Sequence, residues 1–224
     1  MPRKTQFTAE QIADTAFRLV RKGGWEALSV TAVAKEIGSS TMPVYSYFNN
    51  LDNLKDAVAA KGWDLLLEYE TKRYTGDLWV DQAIGYVSFA MAEKKLFFCM
   101  FDARNIDFQR KMRKAHWEYL GGLLDDYEGF KGLKLEEILL IRHTRVMFTH
   151  GLATSAIADW GTPIKKENML EHNVVAASRA ILEGYKTTYN CENKSIAFID
   201  QQLKILIREK AELMEWNKEK TMQK

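Results

Sequence analysis

Apolar residues recur every three or four positions through most of the chain, beginning with Ile12, Ala16, Leu19 and Val20. This is the spacing of one buried helix face. Thr8-Ala9-Glu10-Gln11 has the form of a capping box, which starts the helix, and Gly23-Gly24 offers a left-handed C-terminal cap. Ser29 is placed to cap a second, short helix with Val33, Ala34 and Ile37 on one face, ended by Gly38. A third helix begins at Ser39-Ser40-Thr41, with Pro43 in its first turn, where the missing amide hydrogen costs little. Asn49-Asn50 closes it. Asn50 then caps a fourth helix, whose Leu54, Val58, Leu65 and Leu66 run towards Tyr69. Beyond Gly76 the segments lengthen, and the pattern predicts helices over about 79–93, 95–102, 106–127, 134–160, 166–188 and 195–219. Breaks are expected at Asn105, 129–132, Gly161-Thr162-Pro163 and 190–193.

The expected fold is therefore all-α. Residues 1–50 form a three-helix unit too small to be very stable alone. Residues 51–224 form a larger helical domain, with the fourth helix, about 51–72, as the connecting element. The composition fits: 224 residues with 46% hydrophobic side chains can bury a large core, and only three prolines interrupt the helical pattern. No apolar run approaches the roughly 18 residues needed to cross a bilayer. The first residues, MPRKTQFTAEQ, lack the apolar segment of a signal peptide, so a cytoplasmic protein with no membrane partner is expected. Cys99 and Cys191 offer neither a disulfide framework nor metal-type spacing, and no cofactor is implied. The net charge is only +2, carried by residues 1–48, which hold six Lys/Arg and four Asp/Glu. That bias alone does not mark a nucleic-acid binder.

The chemistry is concentrated in IGSSTMPVYSYFNN, residues 37–50. Two short helices joined by a glycine turn follow the helix-turn-helix plan, in which the second helix enters the major groove by its N-terminal turns. Ser39, Ser40 and Thr41 are small enough to let the backbone approach DNA, and can bond phosphates or base edges. Met42 suits thymine methyl groups. Val44 and Phe48 fall on the inner face, and Tyr45 and Tyr47 reach sideways with hydroxyls suited to phosphate oxygens. The competing reading takes GSST as a polar loop and the tyrosines as amphipathic surface residues, and spacing alone leaves the two balanced.

The run AFRLVRKGGWEALSVTAVAKEIGSSTMPVYSYFNNLDNL resembles the DNA-binding segment of the TetR family of transcriptional regulators, matching at Ala16, Gly24-Trp25, Ser29, Val33-Ala34, Gly38, Ser40, Tyr45, Phe48 and Leu54. The resemblance implies an all-α homodimer that binds double-stranded DNA through this unit and carries a C-terminal domain for dimerisation and effector binding. One position departs from the family pattern. A lysine usually starts the fourth helix beside a DNA phosphate, and here that position is Leu51. Lys55, one turn later, or backbone amides near Asn50 would have to serve instead.

Residues 79–120 are rich in aromatics and methionines, which suit either a core or an adaptable apolar cavity. The segments IGYVSFAMAEKKLFFCMF and FTHGLATSAIADWG resemble the helices that surround the ligand cavity in many relatives. Phe89, Phe97, Phe101, Trp117, Met147 and His150 are the candidate contacts for a small, largely apolar effector, and Arg142 and Arg145 would meet an anionic one. The helices at 134–160 and 166–188 are the candidate dimer interface, with Val174, Ala177, Ala180 and Ile181 permitting close approach. The expected function is a repressor that reads a near-palindromic operator and is released when an effector displaces the fourth helix. The alternatives are a helical interaction protein with a degenerate reader and an enzyme acting on an apolar substrate. Against the enzyme, the sequence offers no nucleophile with an evident base, no phosphate-cradling glycine loop and no metal spacing.

Overall fold

The computed structural model of the chain describes residues 7–101, 106–158 and 169–191. Among these residues nine α-helices occur and no strand: α1 Ala9–Gly23, α2 Val30–Glu36, α3 Met42–Tyr47, α4 Leu51–Glu70, α5 Leu78–Ala92, α6 Lys94–Met100, α7 Ile106–Gly122, α8 Leu135–Ala158 and α9 Met169–Cys191. Short 3-10 turns at Trp25–Ala27 and Glu128–Phe130 fill two of the connections. The predicted helix at 195–219 lies outside the described residues.

The side-chain caps expected at the starts of the first, second and fourth helices form. The Thr8 hydroxyl accepts from the Gln11 amide while the Gln11 side chain accepts from the Thr8 amide, and Ser29 and Asn50 accept from Ala32 and Asn53. Two boundaries differ from expectation. α7 stops at Gly122, about five residues early, because the chain turns at Gly121-Gly122, with the amides of Leu124 and Asp125 bonding back to those glycine carbonyls. The Tyr127 hydroxyl then donates to Asp77 Oδ1 at 2.9 Å, pinning this turn to the start of α5. α9 in turn runs through Asn190 and Cys191, where a break was expected.

One continuous apolar core extends from Ile12, Ala16 and Val20 of α1, through Leu54, Val58, Trp63 and Leu66 of α4, to Trp79, Phe89 and Phe97 and on to Ile141, Val174 and Leu182. α4 is the shared wall. It packs on α1 at one end and on α5, α6 and α7 beyond. Two glycines permit those crossings. A Cβ at Gly85 of α5 would stand 2.2 Å from the Tyr69 carbonyl oxygen and 2.6 Å from Glu70 Cα. At Gly62 of α4 it would meet the Met100 sulfur at 2.8 Å.

The N-terminal unit touches the rest of the molecule at a second place that periodicity did not reveal. Arg21 of α1 forms an ion pair with Glu93, its Nε donating to Oε2 at 2.8 Å, and the Trp25 indole N–H donates to the Cys99 carbonyl at 3.3 Å. Both partners belong to α6 or its first flank. α4 is the covalent bridge, and α6 is a non-covalent one beside it.

These crossings set the response to two otherwise identical substitutions. Gly85→Ala meets rigid backbone, so α4 and α5 must separate, and the midpoint of urea unfolding should fall by the equivalent of about 2 to 3 kcal/mol. Gly62→Ala meets only the movable end of Met100, and the gain in helix propensity should hold its net effect within about 1 kcal/mol.

Candidate nucleic-acid interface and inner cavity

The turn between α2 and α3 is built by the backbone. The Ser39 amide bonds the Ala34 carbonyl at 2.9 Å and the Gly38 amide bonds the Lys35 carbonyl at 3.1 Å, the paired bonds of a Schellman cap. Gly38 has φ +66° and open space where a Cβ would lie, so the glycine answers to the left-handed backbone and not to crowding. Val44 is fully buried against the core, which orients α3. Its opposite face then points outward, with Met42 75% and Tyr45 54% exposed. Thr41 starts the helix without using its hydroxyl as a cap, so that group remains available to a ligand, and Ser40 is exposed beside the half-buried Ser39.

Three of the predicted contacts carry internal duties. The single Tyr47 hydroxyl proton goes to the Phe7 carbonyl at 3.0 Å, tying the chain before α1 to α3. Donation to a phosphate would break that bond, which corrects the equivalence drawn between the two tyrosines. The Asn50 side chain caps α4. Lys55 pairs with Asp52 at 2.9 Å across one turn, a surface contact worth at most about 1 kcal/mol and easily exchanged for another anion. Leu51 packs against the core, a contact that a lysine would not supply.

In the larger half, α4, α5 and α8 border a small cavity of about 10 Å³, room for roughly one water molecule, lined by Glu70, Gln82, Ala83, Tyr86, Arg145, Val146 and Thr149. Five of the seven are polar or charged. Arg145, buried, donates to the Trp79 carbonyl and to Gln82 Oε1 at 2.9 Å, and its guanidinium lies 3.8 Å from the centre of the Trp79 ring. Glu70 Oε2 lies 2.6 Å from His116 Nε2 of α7. Burial pushes the Glu70 carboxyl above its ordinary value, against the opposing pull of His116 and Arg145, and burial lowers Arg145 to about 9, still charged at neutral pH.

Beside the cavity stands an aromatic cluster. His150 stacks on Phe97 with ring centres 5.7 Å apart, meets Phe101 at 5.1 Å, and places Nδ1 2.7 Å from the Tyr86 hydroxyl. Burial, and then the charge of Arg113, lowers His150, while burial raises Tyr86 well above the phenol value. Both groups are therefore neutral, and the direction of the hydrogen bond between them is set by the imidazole tautomer. The neighbouring Trp63 indole N–H of α4 is buried with no hydrogen-bond partner among the described residues, with Phe101 and His116 rings at 5.8 and 5.0 Å.

Phe97, Phe101 and His150 come together, with the Phe89 ring 6.5 Å from that of Phe97, while Trp117 and Met147 lie apart from them. Phe89 is fully buried between Tyr69 and Phe97, as core. Trp117 lies under Arg142, whose guanidinium is 4.1 Å from the ring and bonds the Trp117 carbonyl, which also removes Arg142 from the cavity. Met147 is 54% exposed on the outer side of α8. Glu70, Gln82, Tyr86 and Trp63 were missed as site residues. Their signal was the polar pair Gln82 and Tyr86, one helical turn apart in an apolar segment, facing the similarly spaced Arg145 and Thr149.

The dimer candidates need a related correction. Val174 is buried in the chain's own core, and Ile181 packs against it. Ala177 is half-buried, and only Ala180 is exposed. The outward stripe of α9 is Ala176, Ala180 and Gly184, and that of α8 includes Met147, Phe148 and Gly151. The outward stripe of α9 is thus displaced by about one position around the helix from the predicted set.

No protein-family profile and no curated protein sequence matches the chain. Solved structures do match its fold. A tetR-family transcriptional regulator from Streptomyces coelicolor superposes with a TM-score of 0.66 at 15% identity, covering 87% of each chain. A transcriptional regulator from Rhodococcus sp. RHA1 gives 0.62 at 20% identity over 80% of this chain and 97% of its own. A TetR-family protein from Vibrio parahaemolyticus described as a transcriptional regulator gives 0.53 at 17% identity over 77% and 97%. The chain has the TetR-type fold. Among the described residues no three His, Cys, Asp or Glu side chains gather as a metal site, and no helix is long and apolar enough to cross a membrane.

The state of His150 makes stability depend on pH. Its folded value is depressed below the ordinary 6.5, so the unfolded chain takes up a proton that the folded chain refuses. The contribution of this group is present above that pH and is lost as pH falls below it. Glu70 runs the opposite way, with its contribution complete below the ordinary 4.5 and lost as pH rises through its raised value. The two are separated by His150→Phe, which keeps a ring against Phe97 and Phe101. Urea unfolding at pH 7.5 and 5.5 should show the parent losing more stability on acidification than the variant, by up to about 1.4 kcal/mol for each pH unit below 6.5.

Proposed function

We propose that this chain, which has the fold of the TetR-family transcriptional regulators, is itself a DNA-binding regulator that reads a near-palindromic operator as a homodimer and represses until a small effector releases it. The observation that carries the reading is α3. A buried Val44 and a Schellman turn hold a short helix so that Ser40, Thr41, Met42 and Tyr45 stand outward together, on a fold shared with proteins described as regulators. A polar surface loop would require no such rigid support. Residues 1–50 act as the reader and the remainder as the effector and dimer domain, joined through α4 and braced by α6.

The effector reading is supported by the buried Trp63 N–H and by the lining of the cavity, both on or beside α4. That lining favours a small molecule with hydrogen-bonding groups over the largely apolar one expected from composition. At about 10 Å³ the cavity has room for roughly one water molecule, far below the roughly 300 to 1,000 Å³ of a drug-sized site, so any larger ligand has to push α4, α5 or α8 outward. A shift in α4, or in α6 through the Arg21–Glu93 pair, moves the reader, and couplings of about 1 to 3 kcal/mol lower DNA affinity roughly 5- to 150-fold.

Selection of bound sequences from a random DNA pool tests the reading. Enriched sequences should carry two half-sites related by a dyad, with centres separated by about one helical turn or a multiple of it; enrichment without a dyad, or none, sinks the proposal. On the selected operator, Thr41→Ala should change sequence preference, whereas Tyr45→Phe should lower affinity evenly across sequences, and equal relaxation by both would reject that division of roles. The dimer is tested at the outward faces of α8 and α9. Met147→Glu combined with Ala180→Glu should sediment as a monomer with unchanged helical circular dichroism and bind the operator at least about tenfold more weakly.

A further inference from the structure

Residues 37–48, the whole turn and recognition helix, contain no charged and no carboxamide side chain. The strong discriminating contacts of the major groove need those groups: Arg or Lys for guanine, Asn or Gln for adenine, Asp or Glu for cytosine. α3 has none of them. The small hydroxyls that lead into it, on Ser39, Ser40 and Thr41, can donate or accept and so bond several bases with little preference. What distinguishes the outward face is an exposed apolar side chain, Met42, at 75% exposure in the first turn, with the 54% exposed ring of Tyr45 one turn on. Nothing among the described residues covers Met42, although an exposed large apolar residue at a helix start adds nothing to folding. Its flexible thioether chain adapts to small apolar targets, and the only apolar group on the floor of the major groove is the thymine C5 methyl. The flanking polar residues lie elsewhere. Lys35 and Glu36 belong to the last turn of α2, and Asn50 is occupied as the cap of α4.

Resting on the regulator reading above, we infer that α3 recognises its half-site through thymine methyl groups, with Met42 as the side chain that sets specificity and Tyr45 packing beside it. Sequence preference then comes from shape and apolar contact, and each half-site carries thymine where the first turn of α3 meets the groove. 5-Methylcytosine presents a methyl at the same place, so the reader should also respond to cytosine methylation at those positions.

The experiment uses the full-length protein and the operator obtained by random selection. Each thymine is replaced singly by deoxyuridine, which deletes only the methyl group, and affinity is measured by fluorescence anisotropy. One or two positions per half-site should lose about fourfold, the effect of one buried carbon. At those positions a T·A to C·G change should weaken binding, and 5-methylcytosine in place of cytosine should recover part of the loss. Met42→Ala, whose exposed site leaves folding intact by circular dichroism, should no longer distinguish thymine from deoxyuridine at its position. Its dependence on salt should be unchanged, because no phosphate contact is lost. Deoxyuridine without effect at every position, or a Met42→Ala protein as sensitive to it as the parent, overturns this inference and leaves the regulator reading standing. Failure to enrich any sequence overturns both.

Discussion

Helix α4 sits between α5 and α6 at distances that leave no room for a Cβ at Gly85 and little at Gly62. These close crossings make one core out of the small N-terminal unit and the larger helical half. Leu54 and Val58 of α4 are buried with Ile12 and Ala16 of the small unit, and Trp63 and Leu66 further along are buried with the larger one. A three-helix unit of this size gains too little from its own burial to stand alone. Borrowing α4 solves that problem and also ties the position of α3 to whatever happens around the far end of the same helix.

The far end is polar. Glu70, the last residue of α4, is buried beside His116, with Arg145, Gln82 and Tyr86 close by. Burying charge is expensive, and such a cluster is weak evidence for stability, since apolar residues of similar volume often do as well or better. Its location gives the better account. The charges stand where α4, α5, α7 and α8 converge, so anything that competed for their hydrogen bonds would act on the helix that positions α3. The Trp63 indole, buried without a hydrogen-bond partner among the described residues about two turns earlier on the same helix, lies on the same route.

The junction with α6 gives that route a second branch. α6 carries Phe97 against His150, and α6 and its first flank supply Glu93 and the Cys99 carbonyl to Arg21 and Trp25. A side chain that moves in the aromatic cluster is thus one short helix away from the N-terminal unit. Because packed interfaces switch between discrete arrangements and do not deform continuously, two contacts from different helices constrain the reader's position more tightly than the covalent link alone.

How much of this the sequence determined follows from the range of the forces involved. Helix starts at Thr8, Ser29 and Asn50, the turn at Gly38 and the inward face at Val44 all rest on groups within four or five residues of one another, and they were legible without coordinates. The all-helical fold followed from periodicity for the same reason. Rotation about a helix axis was less secure. Val174 and Met147 were assigned to the wrong sides because an apolar residue suits both a core and an outward face, and only the positions of α8 and α9 relative to α5 decide between them. Arg142 and Arg145 could each have met a ligand on sequence grounds, and tertiary structure spent the first on Trp117 and set the second at the cavity wall. The cavity, the Glu70–His116 pair and the Arg21–Glu93 pair join residues far apart in the chain. No local pattern encodes such meetings, because their energy appears only when helices distant in sequence are brought within a few ångströms.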